Sequence, residues 1–193
     1  MALVSRPLIV RRLPSPSPVT LKRSLYSLLA GGLGAMALGI GGLAALADSH
    51  WFQLMGSHMA QLPATDRSIA LTFDDGPNPA STEAILRVLE QRGVPATFFL
   101  IGERIERDPG LAGRIVGEGH QVGNHSWSHP RMVMEHAHLY SAEIDRTDRL
   151  IRRLGYRGTI DFRPPYGQKL LVLPWLLSQR GKLDVLWSLD SRD

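Results

Sequence analysis

The distribution of hydrophobic and polar positions divides the chain into parts of different character. Residues 24–47 form a run without a charged side chain, and residues 48–66 have mixed polarity with no sustained period. After residue 67, short apolar runs with the length of buried strands alternate with segments of helical period. We therefore predict a basic tail over 1–23, a membrane anchor or signal segment over 24–47, a linker over 48–66 and a folded domain over 67–193.

The folded domain is predicted to be an α/β structure. Strands are expected at 68–73, 96–101, 120–123, 159–162 and 183–189, and helices from Ser81 or Thr82, from Pro109, over about 141–154 and over 170–179. This alternation predicts a parallel sheet covered by helices, either open or closed into a barrel. In both arrangements, functional side chains collect at the carboxyl ends of the strands.

The uncharged run is long enough to cross a bilayer as a helix. Basic residues precede it and Asp48 follows it, which predicts a cytoplasmic N-terminus and an exported domain. Residues 45–47, Ala-Leu-Ala, also resemble a signal-peptidase site. An uncleaved anchor is favoured because the run is longer than a usual signal core, and both alternatives place the domain outside the cytoplasm.

The net charge of +4 comes from the tail, because residues 1–47 hold five of the 22 basic residues and no acid. The remaining 17 basic residues face 18 acidic ones, so the rest of the chain carries about −1. A nucleic-acid partner would require a basic face on the folded part, and these counts argue against one. The chain has no cysteine, which excludes disulfides and thiolate zinc sites.

Two adjacent carboxylates, Asp74 and Asp75, follow the first predicted strand and precede the turn formed by Gly76 and Pro77. Neighbouring acids repel each other and are costly to hold together without a cation or a shared proton. A cation would remove this repulsion if one acid bound it as a ligand while the other stayed free to act as a base. A polar turn without function is the alternative for this tetrapeptide taken alone.

Polar residues also follow three other predicted strands. His125 and His129 lie four residues apart, a spacing that on one turn of helix would point both imidazoles the same way, and Pro130 could sit in the first turn of that helix and fix its start. Together with a carboxylate from another strand end, two histidines form an open catalytic metal site. The other strand ends carry Arg163-Pro164-Pro165-Tyr166 and the terminal Asp190-Ser191-Arg192-Asp193.

Four motifs occur in order: TFDDGP at 72–77, HSWSH at 125–129, RPPY at 163–166 and DSRD at 190–193. Together they resemble the polysaccharide deacetylase family, the NodB-homology domain of carbohydrate esterase family four, over about residues 68–193. The resemblance implies a distorted (β/α) barrel, incomplete at its C-terminus. It also implies a metal-dependent hydrolase that removes N-acetyl groups from N-acetylglucosamine-containing glycans, either peptidoglycan or a chitin-like polymer.

The resemblance assigns roles to five of these side chains. Asp75, His125 and His129 would bind a divalent metal, most often Zn²⁺. Asp74 would act as general base on water, and Arg163 would hold Asp74 in its ionised form.

The RPPY motif and Trp127 are implied to face the substrate. The backbone N–H of Tyr166 would stabilise the tetrahedral oxyanion, in a loop fixed by Pro164 and Pro165. Trp127, Pro165 and Tyr166 are expected to contact the sugar, although core packing is an equal alternative for Trp127.

The family pattern continues past the DSRD motif with a tryptophan and a later Leu-x-Leu-His segment whose histidine is the general acid. Here no histidine follows His138, so the general acid is absent from this chain and the last strand would be an exposed edge. We expect either a fragment of a longer protein or a shortened, weakened one. Two functional alternatives remain: a non-catalytic glycan-binding domain that keeps its metal site, and an amidase acting on a small non-sugar amide.

Overall fold

The computed structural model describes residues 18–53, 55–63 and 67–190. These residues divide into two units, with the boundary between Gly42 and Leu43. The first element is the helix α1, Pro18–Ala47, which begins at a proline, a residue suited to the first turn because its missing N–H has no partner there. Its segment Leu29–Ala47 is long and apolar enough to cross a membrane. A signal sequence near the N-terminus meets the same criterion, so anchor and signal remain alternative predictions.

The second unit is built on a parallel sheet. Its strands are β1 (His58–Met59), β2 (Thr72–Gly76), β3 (Thr97–Leu100), β4 (Gln121–Asn124) and β5 (Asp184–Val185). β2, β3 and β4 pair in that order, β1 pairs with β5, and single bridges from Phe162 join Asn124 to Asp184. The strand predicted at 159–162 is therefore reduced to one residue. In the described part, β2 and β1 are the two edges, and closure into a barrel stays a prediction.

Helices cover the sheet, and two of them begin at a side-chain cap, one at Asn78 and one at Asp108. The helices are α2 (Pro79–Arg92), α3 (Gly102–Arg107), α4 (Pro109–Gly117), α5 (Ala137–Arg153) and α6 (Val172–Gln179), with a 3₁₀ turn at Pro165–Gly167. The side chain of Asn78 accepts the backbone N–H of Ala80 at 3.0 Å and so begins α2 earlier than predicted. The short helix α3 was not predicted, because its six residues follow β3 directly and are too few to show a helical period.

The first predicted strand is displaced along the chain. β2 begins at Thr72 rather than at residue 68, and Ile69 is 83% exposed, so the apolar run before the motif is not a buried strand. The strand instead includes both aspartates, and its pairing with β3 shifts register between Phe73 and Gly76. Such an irregularity re-aims side chains at a strand end. Here it lies at the two carboxylates.

Two apolar clusters form the core of the second unit. The larger fills the space between the sheet and helices α2, α3, α4 and α5, and includes Leu86, Phe98, Ile105, Ile115, Val122 and Ile151. The smaller lies where α5 meets α6 and includes Met132, Tyr140, Ile144, Phe162, Leu173 and Leu177. The sheet is therefore stabilised by apolar packing against its faces, while its carboxyl ends carry the polar side chains.

The segment predicted as a linker, 48–66, differs from that prediction where it is described. β1 lies within it and runs parallel to β5, with the Leu186 N–H donating to the Met59 carbonyl at 2.7 Å. The Asp48 carboxylate also accepts the side-chain amide of Gln168 at 2.7 Å. The physical reason is that β5 would otherwise leave unpaired backbone groups along its edge, and the preceding segment satisfies them.

A buried ion pair lies beneath this segment. Lys169 and Asp184 are both almost inaccessible to solvent, with Nζ 3.7 Å from Oδ2. Burial raises the pKa of Asp184 to about 6, although the charge of Lys169 opposes that rise. The Lys169 ammonium also donates to the Ser49 carbonyl at 2.8 Å. Lys169 therefore connects β5 to the residues that follow α1.

Candidate metal and catalytic site

Three potential metal ligands converge at the carboxyl ends of β2 and β4. Ligand atoms of Asp75, His125 and His129 all lie within 4.8 Å of one another. Asp75 Oδ1 is 3.5 Å from His125 Nε2 and 3.2 Å from His129 Nε2. One carboxylate and two imidazoles, with the Asp75 side chain 51% exposed, form a donor set that can hold a divalent ion and leave positions open.

The two histidines are brought together by a turn, and the predicted helix does not form there. Residues 125–136 contain no helix, and Ser126 and His129 have φ angles of 66° and 59°. The Asn124 side chain accepts the Ser126 N–H at 2.8 Å, and the Ser126 hydroxyl accepts the His129 N–H at 3.0 Å. A residue before proline avoids the helical region, which explains why His129, before Pro130, cannot continue a helix.

The orientation of the His125 ring is set by a backbone carbonyl. Nδ1 lies 2.7 Å from the Arg163 carbonyl oxygen, which can only accept, so Nδ1 carries the proton and Nε2 presents a lone pair toward Asp75. Burial lowers the pKa of His125, against the opposing effect of Asp74. The ring is therefore held in the neutral form that binds metals.

Asp74 points to a different partner. Its Oδ1 accepts a charge-assisted bond from Arg163 Nη1 at 2.7 Å. The guanidinium is buried and also donates to the carbonyls of Val185 at 3.0 Å and Leu186 at 3.1 Å. Burial lowers the pKa of Arg163 and the adjacent Asp74 raises it. The two neighbouring carboxylates thus have different partners: Asp75 faces the two imidazoles and Asp74 binds the arginine.

Backbone strain is concentrated at this site. Within the described ranges, the non-glycine residues with positive φ are Asp75, Ser126, His129 and Tyr166. Left-handed backbone is unfavourable for residues that carry a Cβ, and such strain persists where the surroundings fix it and is common at functional sites.

Tyr166 lies at the rim of the site and Pro165 does not. The Tyr166 side chain is 52% exposed, its ring centroid is 4.8 Å from that of His129, and the Arg131 guanidinium lies 4.6 Å from the ring. Pro165 is buried in the 3₁₀ turn, which favours a structural role over the predicted sugar contact.

Trp127 is buried, with 7% of its surface exposed. One face packs on Gly102, where an added Cβ would collide with the indole, and the Arg146 guanidinium lies 3.3 Å from the ring centroid. This environment favours core packing, the alternative considered for Trp127, over stacking against a sugar.

Sequence reasoning missed the residues that support the histidine loop. The Glu143 carboxylate, on α5, accepts the backbone N–H groups of Trp127 and Ser128, both at 2.8 Å, and the Ser128 hydroxyl at 2.9 Å. Nothing in the sequence distinguishes Glu143 from other acids on that helix. Arg104 donates to the Asp75 carbonyl, and this residue belongs to the unpredicted helix α3. Most of the DSRD motif, residues 191–193, lies outside the described residues.

A family profile described as polysaccharide deacetylase matches residues 61–181. The chain belongs to the polysaccharide deacetylase family. The match contains the aspartate pair, both histidines and the RPPY motif, so the family resemblance inferred from the motifs is confirmed.

Individual relatives agree with this assignment. The chain is 41% identical over 132 residues to a peptidoglycan-N-acetylglucosamine deacetylase of Bacillus cereus, covering 68% of this chain and 48% of that protein. It is 41% identical over 129 residues to a chitooligosaccharide deacetylase of Bradyrhizobium, covering 66% of this chain and 58% of that protein. The matched part of the chain spans about half the length of these two relatives, and 27% of a peptidoglycan-N-acetylglucosamine deacetylase of Listeria monocytogenes.

The fold is shared with solved members of the family. A crystal structure of Bc1960 peptidoglycan N-acetylglucosamine deacetylase superposes with a TM-score of 0.64 at 39% sequence identity. The superposition covers 67% of this chain and 61% of that one. The second unit therefore has the NodB-type fold of these deacetylases.

Proposed function

We propose that this chain is the catalytic part of a glycan N-deacetylase, which hydrolyses the acetamide of N-acetylglucosamine units to acetate and a free amine. The observation that carries the proposal is the Asp75–His125–His129 cluster beside the Asp74–Arg163 ion pair. Family membership and the names of the relatives support the same reaction.

The cluster fits a divalent metal, and Zn²⁺ is the preferred choice. Its three donors are oxygen and imidazole nitrogen, and the hydrogen bond at His125 Nδ1 directs the ring's other nitrogen to the cluster. When bound, the ion would polarise the acetamide carbonyl and acidify water.

The chain's own residues supply the proton transfer and the orientation. Asp74 accepts a proton from the attacking water, whose oxygen adds to the carbonyl carbon; the carbon–nitrogen bond then breaks as the departing amine takes up a proton from solvent water. Arg163 orients Asp74 through a charge-assisted hydrogen bond. The backbone N–H of Tyr166, held in the strained turn after two prolines, is the proposed donor to the oxyanion.

Peptidoglycan is the proposed substrate. The relatives are named for peptidoglycan and for chitooligosaccharide, both polymers of N-acetylated sugars. Half-exposed Asp75 and Tyr166 at the rim favour an extended glycan over a small enclosed amide. The apolar segment Leu29–Ala47, as an anchor or export signal, would bring the domain to the wall side of the membrane.

The test is acetate release from N-acetylglucosamine oligomers and from peptidoglycan by the purified chain, with and without added zinc. We expect release that chelation abolishes. Asp74→Asn should lower release by about 10²–10⁴-fold while zinc content is kept, whereas Asp75→Asn should lose both. Zinc bound at full occupancy without any acetate release would contradict the proposal.

A further inference from the structure

An exposed apolar face lies on the second unit, away from its two core clusters. It is formed by side chains that are each 39–64% exposed: Trp51, Phe52, Met55, Leu171 and Trp175. Two of them are tryptophans, although the whole chain has only four. Soluble monomers rarely expose a contiguous patch of this kind without a function. We refer to these five residues as the juxtamembrane face.

The two segments that carry this face are packed against each other. A Cβ on Gly56 would lie 3.1 Å from the Pro174 carbonyl oxygen and 3.2 Å from Ser178 Cβ, so the 51–56 segment runs against α6. A small cavity is lined from both sides, by Leu46, Phe52, Gln53, Lys169 and Leu170. Because Leu171 and Trp175 are four residues apart, they share one side of α6.

Hydrogen bonds hold the same segment in place. The Lys169 N–H donates to the Ala47 carbonyl at 3.0 Å, and the Lys169 ammonium donates to the Ser49 carbonyl. Gln168 donates to Asp48, and its side-chain oxygen accepts from Arg131 at 2.8 Å. Ala47 is also the last residue of the segment apolar enough to cross a membrane. The juxtamembrane face is thus fixed beside the point where that segment ends.

We propose that the juxtamembrane face rests on the interfacial layer of the lipid bilayer, so that the domain docks on the membrane instead of moving freely on a tether. Tryptophan and other amphipathic aromatic rings are favoured at the membrane–water interface. Trp51 and Phe52 follow closely after the candidate span, and Leu171 and Trp175 extend the same face with residues distant in sequence. Gln168 contacts both Asp48, next to this face, and Arg131, whose guanidinium lies over Tyr166, so the docked face is connected to the rim of the site.

The absence of cysteine allows a direct test with single labels. The full chain, reconstituted in phosphatidylcholine–phosphatidylglycerol nanodiscs, is labelled with an environment-sensitive fluorophore at Trp175→Cys or, separately, at Leu171→Cys. The matched control is Val88→Cys on α2, an apolar position that is 55% exposed. Trp51→Cys reports the anchor itself. The measurement is fluorescence quenching by lipids that carry a spin label near the headgroup.

We expect several-fold quenching at positions 171 and 175, with the label at 88 no more quenched than in lipid-free detergent. Quenching at 51 alone would overturn the proposal, because it would show an anchored domain that does not dock. Disulfide cross-linking of Trp175→Cys chains without quenching would also overturn it, in favour of a second copy on this face. The measurement does not involve acetate release, so it is independent of the proposed enzymatic function.

Discussion

The side chain of Arg163 binds Asp74 at 2.7 Å, while its backbone carbonyl lies 2.7 Å from His125 Nδ1. One buried residue therefore positions both the proposed base and a proposed metal ligand. Its guanidinium also satisfies the carbonyls of Val185 and Leu186 on the neighbouring strand segment. The positions of Asp74 and His125 therefore both depend on this arginine.

Arg163→Ala should reduce both stability and activity. It leaves buried carbonyls without a donor and Asp74 without its partner, so the free energy of unfolding should fall by roughly 2–5 kcal/mol. Arg163→Lys keeps the charge but not the planar fork, and we expect it to restore little acetate release. Denaturant unfolding and acetate assays measure the two effects. The control is Arg149→Ala at an exposed position, where the free energy of unfolding should change by no more than about 0.5 kcal/mol. Equal losses of stability and activity in the two alanine variants would refute the positioning role of Arg163.

Glu143→Gln should weaken metal binding without unfolding the chain. Glu143 accepts three hydrogen bonds from the loop between the two histidines, and an amide cannot replace both carboxylate oxygens as acceptors. Zinc affinity, measured by competition with a chelator, should fall about 10–100-fold. Glu118→Gln, whose carboxylate pairs with Arg114 on α4, serves as the control. An unchanged zinc affinity in both variants would show that the loop keeps its shape without Glu143.

The Lys169–Asp184 pair predicts a specific dependence of stability on pH. Because the pKa of Asp184 is raised from 3.8 to about 6 in the folded state, the folded chain binds more protons than the unfolded chain between those values. Its contribution to stability is therefore fully present below pH 3.8 and is lost as pH rises through about 6.

The comparison is with the double variant Lys169→Met/Asp184→Leu, which removes both charges together and avoids leaving one unpaired. In the parent chain, titration of Asp184 should make the free energy of unfolding decline as the pH rises from about 4 to 6. In the double variant this decline should be absent. Urea unfolding at several pH values measures this difference. Identical slopes for the two proteins would show that Asp184 titrates normally.

Gly102→Ala should destabilise the domain because the added methyl group collides with the Trp127 ring and the Thr147 hydroxyl. Overpacking of this kind typically costs about 1–3 kcal/mol. Gly113 lies in the middle of α4, and an added Cβ there would meet open space, so Gly113→Ala should instead stabilise the domain by about 0.5–1 kcal/mol. Thermal unfolding of the two variants provides the measurement, and a tolerated alanine at 102 would mean that Trp127 moves aside easily.

The convergence of Asp75 with His125 and His129 could be predicted from the sequence, because parallel strands direct their carboxyl ends to one edge of the sheet. Prediction from the sequence failed where distant residues decide the local structure. The histidine turn depends on Asn124 and Glu143, and β1 forms only because β5 offers an edge. No local pattern encodes these long-range partners.

The burial of Trp127 has the same origin. An aromatic residue between two candidate ligands suggests sugar stacking, but its environment is set by Gly102 on α3 and Arg146 on α5. Because the helix α3 is not predicted from the sequence, the sequence alone does not decide between core packing and sugar contact for Trp127. A short helix between a strand and a proline-capped helix is the element that local periodicity detects least well.

The central claim is that Asp75, His125 and His129 together hold one divalent ion. Zinc K-edge X-ray absorption of the zinc-loaded chain tests it most directly. We predict one zinc per chain with two imidazole nitrogens and oxygen ligands at roughly 2.0–2.2 Å, and loss of one imidazole contribution in His129→Gln. A spectrum with oxygen ligands only, unchanged by that substitution, would contradict the account.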